Sequence, residues 1–289
     1  MIYTTLIEPF ELHTFLLNQK VAKQRDLVIL DCSCSIADPS IGAKNYALGH
    51  IPGALYLDFD KYVTGKISKG SGRHPMPDRE AFRKSMEEFG VRPDRQIIVY
   101  DQGGLGFATR LWYELRWLGL ESVAVLDGGL KAWKQDKYPL STEASVPLKD
   151  GKIHSDLLPL EEPVEMRLIQ ENQKTKKYLD VDARPNARFH GIGETIDHKA
   201  GHIPGAVSRP GSENFDAAGR FKKPTVLREE FLQLLDGRSP DEIIHSCGSG
   251  VNATVNLFAM DICGLFGSKL YPGSWSQWID DESNPIAVD

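Results

Sequence analysis

Two hydrophobic patterns alternate along the chain: unbroken apolar runs of strand length, and longer stretches in which apolar residues return every three or four positions. The first suits strands buried on both faces, the second helices with one buried side. Phe10, Leu12, Phe15 and Leu16 predict a lead-in helix within residues 1–25, and Leu27 to Asp31 predicts a buried strand ending in a carboxylate. A Gly-rich polar loop runs to Tyr46. Gly49-His50-Ile51-Pro52-Gly53-Ala54 is a turn by composition, because Pro fixes one dihedral and the glycines permit unusual ones. Leu55 to Asp58 continues as a short strand. Gly65, Gly70, Gly72, Pro75 and Pro77 make 61–77 an excursion. Asp78 predicts the cap of a helix through Phe89 that Gly90 ends. Gln96 to Tyr100 is the next strand, followed by a helix through Leu118, a strand from Val123 to Leu126 and a short helix ending near Trp133.

The same landmarks then return in the same order. Asp182 after a strand answers Asp31, and Gly201-His202-Ile203-Pro204-Gly205-Ala206 repeats the turn at Gly49 identically. Cys247 answers Asp101, and Gly273 through Trp278 answers Gly128 through Trp133. The division predicted is a first domain over 1–140, a linker over 141–160 poor in aromatic residues and rich in Pro, Ser and charge, and a second domain over 161–289. Strands alternating with helices place the chain in the α/β class, as two domains, each a parallel sheet flanked by helices on both faces. The length of 289 residues accommodates two domains of about 100–150 residues.

Composition narrows the function classes. Hydrophobic residues make up 41% and charged residues 26%, the balance of a water-exposed globular protein. No apolar run approaches the roughly 18 residues needed to cross a bilayer, and the first residues lack a basic-then-apolar signal pattern, so a cytoplasmic location is expected. A net charge of -6 gives no electrostatic reason to bind nucleic acid or an anionic membrane. Four cysteines are too few for a disulfide scaffold. Cys32 and Cys34 have no second pair to complete a zinc site and are read as structural. His198 and His202 are four apart, but Gly201 and Pro204 break any helix there, so a surface role is expected and no metal or cofactor.

The chemistry concentrates at Cys247. Ile243 and Ile244 read as a buried strand; the chain then passes through Cys247-Gly248-Ser249-Gly250 into a helix whose Val251, Val255, Phe258, Ala259 and Ile262 can share a face, with Gly264 at its end. A helix N-terminus offers unpaired N–H groups and favours negative charge, so a cysteine there ionises more readily than a free thiol, whose pKa is about 8.5. Gly248 and Gly250 let the backbone turn its amides toward the sulfur, forming an anion cradle. In parallel sheets ligands bind at the carboxyl ends of strands, where Cys247 lies.

The doubled GHIPGA, the Asp182-Ala183-Arg184-Pro185-Asn186-Ala187-Arg188-Phe189 stretch, the CGSGV loop and the GSWSQW stretch with Asn284-Pro285-Ile286-Ala287 behind it resemble the tandem rhodanese family, and within it the 3-mercaptopyruvate sulfurtransferases. The resemblance covers nearly the whole chain. It implies transfer of a sulfane sulfur through a persulfide on Cys247, with only the second domain carrying the cysteine, and an acceptor such as cyanide, a thiol or thioredoxin. Arg188 matches the substrate-binding arginine, and Gly248, Gly250, Val251 and Asn252 line the loop. A Ser-His-Asp relay is implied at Ser249, His74 and Asp60, the last two from the first domain. Arg184 is read as pairing with a structural carboxylate. The loop departs from the family's Val-Thr-Ala at Val251-Asn252-Ala253, and residues 193–199 lack a second arginine that many mercaptopyruvate enzymes carry, with Lys199 a less rigid stand-in.

A loop without basic residues favours mercaptopyruvate, a monoanion, over thiosulfate, a dianion, and thiosulfate sulfurtransfer is the second reading. A cysteine phosphatase would need an arginine six residues after the cysteine, where this chain has Ala253. A sulfur-carrier or binding module without turnover is the non-enzymatic reading.

Overall fold

The computed structural model describes residues 2–22, 26–38 and 40–288, without side chains at 19–22. The chain forms two compact units: Met1–Gly65, Pro77–Glu161 and Ala217–Arg220 make the first, and Lys66–Met76, Glu162–Asp216 and Phe221–Asp289 the second. The excursion therefore divides, and its larger part, with Arg73 and His74, belongs to the second unit. Residues 141–160, expected to be a linker, belong to the first, as does Glu161, expected in the second domain. Lys152 N–H donates to the Val91 carbonyl at 3.0 Å, and Arg95 holds Asp150 at 2.7 Å. Gly151 lies so close to the Glu87 backbone that a Cβ there would sit 1.9 Å from its carbonyl oxygen.

In the first unit β1 (Leu6–Ile7), β2 (Leu27–Asp31), β3 (Leu55–Tyr56), β4 (Gln96–Tyr100) and β5 (Val123–Leu126) form a parallel sheet in the order β1-β5-β4-β2-β3. In the second, β6 (Leu179–Asp182), β7 (Val207–Ser208), β8 (Ile243–Ser246) and β9 (Lys269–Leu270) are parallel in the order β7-β6-β8-β9. Successive residues Ile97, Ile98, Val99 and Tyr100 are all buried, so both faces of the sheet are covered, as the unbroken apolar run requires. The lead-in helix is Pro9–Ala22; residues 23–25 of the expected stretch lie outside the described residues. Asp78 caps Arg79–Glu88 by accepting from Ala81 N–H. Two elements were not legible: β1 is only two residues long, and Ile41–Leu48 is a helix where a polar loop was expected, its one buried residue being Gly42.

The repeat is structural down to single bonds. Asp31 and Asp182 each accept from the N–H two residues ahead, at 3.0 and 2.9 Å. His50 stacks on Tyr46 with ring centroids 3.7 Å apart, and His202 stacks on Phe189 at 3.8 Å. His202 is buried, 3% exposed, which corrects the expected surface role; His198 is exposed. The flat imidazole fills a slot against an aromatic ring while Nδ1 meets the Phe189 carbonyl at 3.0 Å. Trp133 and Trp278 are fully buried and each donates its indole N–H to a proline carbonyl six or seven residues on, so they pack the two cores.

The first residue after the strand differs between β4 and β8, Asp101 in one unit and Cys247 in the other. After β4 the Asp101 carboxylate accepts from Gly103 N–H at 2.8 Å, Leu105 N–H at 3.0 Å and Ala108 N–H at 3.3 Å. The cradle of the first unit is thus filled by its own side chain. Burial still pushes the Asp101 carboxyl above its usual range, with the loop amides acting against that shift.

Asp180, one turn of the pleat below the end of β6, is buried, accepts from Ser246 Oγ at 2.6 Å and leaves its other oxygen without a partner among the described residues. Burial pushes its carboxyl up to about 7. A carboxyl whose pKa is raised by folding stabilises the native state fully below its unfolded pKa near 3.8, and that contribution is lost as pH rises through about 7. Asp180→Asn keeps an acceptor for Ser246 and removes the titration. Urea unfolding at pH 5 and pH 8 should show the variant gaining a few kcal/mol at pH 8 relative to pH 5, compared with the wild type. An identical pH dependence in both proteins would show that Asp180 is ionised throughout.

Candidate active site

Cys247 follows directly on β8, the strand paired with both β6 and β9, and residues 247–252 lead into the helix Ala253–Ile262. That helix is buried from Ala253 to Asp261, on every side rather than on one stripe, and this fixes the loop in front of it. Gly250 adopts φ +77°, a left-handed conformation that a residue without a side chain takes at little cost, and its N–H points back at the Cys247 sulfur at 3.1 Å. The helix Ser274–Trp278 grips the loop from outside: Trp275 and Ser276 N–H donate to the Cys247 and Gly248 carbonyls at 3.0 and 2.9 Å. Cys247 N–H donates to Ser274 Oγ at 3.1 Å. Ser274 itself sits at φ +53°, a costly conformation for serine, held by this bond and by its own donation to the Tyr271 carbonyl.

Around this loop the structure brings together most of the residues expected from the sequence. Cys247 is 3% exposed, and Ser249 and Val251 are buried beside it. His74 Nδ1 lies 2.7 Å from Ser249 Oγ. Asn252 is exposed and makes no side-chain capping bond to the helix. Asp60 belongs to the first unit, in the helix Phe59–Tyr62, where Cys34 Sγ lies 3.9 Å from its carboxylate; burial and Asp58 raise its carboxyl. The cap of that helix is Asp58, which accepts from Lys61 N–H. Arg184 has the structural role expected: both it and Asp182 are buried, their groups meet at 2.7 Å, and its guanidinium stacks over Trp275.

Arg188 faces the loop, with Nη1 and Nη2 each 3.8 Å from the position a Gly248 Cβ would take. Its Nε and Nη2 are held by Glu194 at 2.9 and 3.1 Å, and Nη2 by Asp197 at 2.9 Å. A second guanidinium, missed in the sequence reading, is closer: Arg73 Nη2 is 2.8 Å from the same Gly248 position, and Arg73 Nη1 pairs with the other oxygen of Asp197. Lys199, the stand-in considered above, accepts the Trp275 indole N–H at its backbone carbonyl at 3.0 Å. Arg73 adjoins His74, so choosing the histidine already pointed to it; Ser274, Ser276, Glu194 and Asp197 gave no such signal. No group of three or more metal-ligating side chains occurs among the described residues.

The arrangement is a nearly enclosed thiol at the head of a loop, an amide directed at its sulfur, a Ser-His pair and two arginines beside the loop. The model of the rhodanese-like domain matches residues 16–136 and again 165–281. The chain belongs to the rhodanese family. Among rhodanese relatives, a probable 3-mercaptopyruvate sulfurtransferase of Pseudomonas aeruginosa is 41% identical over 268 residues, covering 91% of this chain and 93% of the relative. A putative thiosulfate sulfurtransferase of Mycobacterium tuberculosis is 31% identical over 263 residues, covering 89% of each. The crystal structure of SseA from Escherichia coli, described as a 3-mercaptopyruvate sulfotransferase, superposes with a TM-score of 0.77 at 33% identity, covering 95% of this chain and all of that one. The tandem rhodanese architecture, two parallel sheets flanked by helices, is thus shared along nearly the full length. Within the described residues no helix is long and apolar enough to cross a membrane.

Proposed function

We propose that this rhodanese is a sulfurtransferase that takes a sulfane sulfur from 3-mercaptopyruvate and passes it to a thiol or to cyanide through a Cys247 persulfide. The observation that carries the reading is the enclosed Cys247 sulfur with the Gly250 amide directed at it, beside two guanidinium groups. The Cys247 thiolate attacks the donor sulfur. An S–S bond forms, the donor C–S bond breaks, and its electron pair becomes the enolate of pyruvate, which takes a proton at carbon. The thiol proton of the donor is released, leaving an anionic outer sulfur beside the loop whose Gly250 amide is directed at the Cys247 sulfur. An acceptor thiolate or cyanide then attacks that outer sulfur, the S–S bond breaks and the Cys247 thiolate returns. Thioredoxin is a fitting acceptor, since it presents a reactive thiolate.

Ser249 and His74 serve in this reading as the proton relay to the enolate, with Asp60 the carboxylate that the resemblance assigns as third member. Arg188 binds the anionic end of the donor, its planar fork matching a carboxylate. Gly248, Gly250, Val251 and Asn252 form the loop. Thiosulfate is the second donor weighed, and the Mycobacterium tuberculosis relative favours keeping it. Specificity constants for the two donors decide between them: kcat/KM for mercaptopyruvate is expected to exceed that for thiosulfate by at least about tenfold, the worth of one charged contact. A preference for thiosulfate would reverse the assignment, and turnover of neither would reject it.

A further inference from the structure

We propose that Arg73 is the second donor-binding cation of the site and that Asp197, shared between Arg73 and Arg188, sets the charge of the donor the site accepts. The inference deepens the sulfurtransferase reading and rests on it. Residues 193–199 carry no arginine, yet a second guanidinium reaches the loop from a different stretch of sequence. Its place is fixed by the same helix that grips Cys247: Arg73 N–H donates to Ser276 Oγ at 3.1 Å, and Gln277 donates to the Gly70 carbonyl at 3.0 Å. Arg73 Nε is buried and has no partner among the described residues. A buried donor without an acceptor is costly, and a bound anion would relieve that cost.

The Asp197 side chain is 3% exposed and spans the two guanidinium groups with its two oxygens. That is the geometry in which a ligand carboxylate would bridge them. Glu194 is fixed as well, accepting the backbone N–H of Ile196 and Asp197 at 2.8 and 3.0 Å. Two guanidinium charges therefore face two carboxylates, and the cluster is formally neutral before a donor arrives. A neutral cluster admits a monoanion through directed hydrogen bonds, while a dianion meets the Asp197 charge without a net cation to offset it. Removing that charge leaves a net positive site.

The test is steady-state kinetics of the full chain with both donors, together with protection of Cys247 from iodoacetamide by pyruvate, which needs no turnover. Arg73→Gln should raise KM for mercaptopyruvate about 10- to 100-fold with kcat nearly unchanged, weaken pyruvate protection by a similar factor, and be partly rescued in Arg73→Lys. Gly248→Ala, whose methyl would meet Arg73 Nη2 at 2.8 Å, should reproduce part of the loss by displacing that group. Asp197→Asn should raise the ratio of thiosulfate to mercaptopyruvate specificity constants by about tenfold. Unchanged KM and protection in Arg73→Gln would overturn the role of Arg73, and an unchanged or lowered donor ratio in Asp197→Asn that of Asp197. If Arg73→Gln fails to fold, Arg73→Lys and Gly248→Ala decide the first part. A wild type that transfers sulfur from neither donor fails the sulfurtransferase reading, and pyruvate protection still shows whether Arg73 binds a carboxylate.

Discussion

Cys247→Ser is expected to abolish sulfur transfer from both donors, lowering turnover by at least about 10⁴-fold, since removing a nucleophile that works as part of a unit costs on that order or more. Intact-protein mass spectrometry after donor treatment without acceptor should find one added sulfur on the wild type and none on the variant. The other three thiols are poorly suited to carry it. Cys32 is fully buried, donates to the Tyr100 carbonyl, and is held protonated by burial with Asp101 and Asp31 nearby. Burial and the Asp60 carboxylate push Cys34 up to about 11. Burial also raises Cys263, which donates to the Met260 carbonyl at 3.2 Å. Burial outweighs the backbone N–H of Ser35 at Cys34 and that of Leu265 at Cys263, while the Gly250 N–H is directed at the Cys247 sulfur. A sulfur found on Cys32, Cys34 or Cys263 would overturn the assignment.

The unbroken apolar runs made β2, β4, β5 and the opening of β8 readable, because a strand covered on both faces has no polar positions to hide its pattern. The repeat was readable for a different reason: the His50 and His202 turns need the same ring, proline and glycines to build the same stack against an aromatic side chain. Exposure was misjudged there, since composition marks a turn without showing that one of its side chains turns inward. Ile41–Leu48 was missed because its only buried member is a glycine, packed so closely that a Cβ would meet the Ser33 carbonyl at 2.1 Å. At the site, Cys247, Ser249 and Arg188 stand within local motifs. Arg73 and Asp197 do not: they lie far apart in sequence, their pairing exists only once 66–76 packs with the second unit, and a single charged residue in a polar stretch reads as solvated surface. Two guanidinium groups therefore lie beside the loop, where the sequence pointed to Arg188 alone.

His74→Ala should separate the two donors by mechanism, lowering turnover with mercaptopyruvate by about 10²–10⁴-fold and leaving thiosulfate turnover nearly unchanged. The difference follows from the leaving groups. Breaking the C–S bond of mercaptopyruvate places an electron pair on carbon, and the enolate must be protonated to become pyruvate; thiosulfate releases sulfite, stable as it leaves. In the proposed relay the serine would give its proton to the enolate and the imidazole, whose Nδ1 lies 2.7 Å from Ser249 Oγ, would replace it. Ser249→Ala should therefore show the same donor selectivity, and the double variant should lose little more than either single one, because two members of one relay are not additive. Asp60→Asn tests the third member: a selective loss with mercaptopyruvate would include it, and full activity would leave Ser249 and His74 as a pair. Equal losses with both donors in His74→Ala would mean that His74 supports the loop that holds Cys247 rather than moving a proton, and the pH profile distinguishes the cases, since a relay that donates a proton alters the alkaline limb for mercaptopyruvate alone.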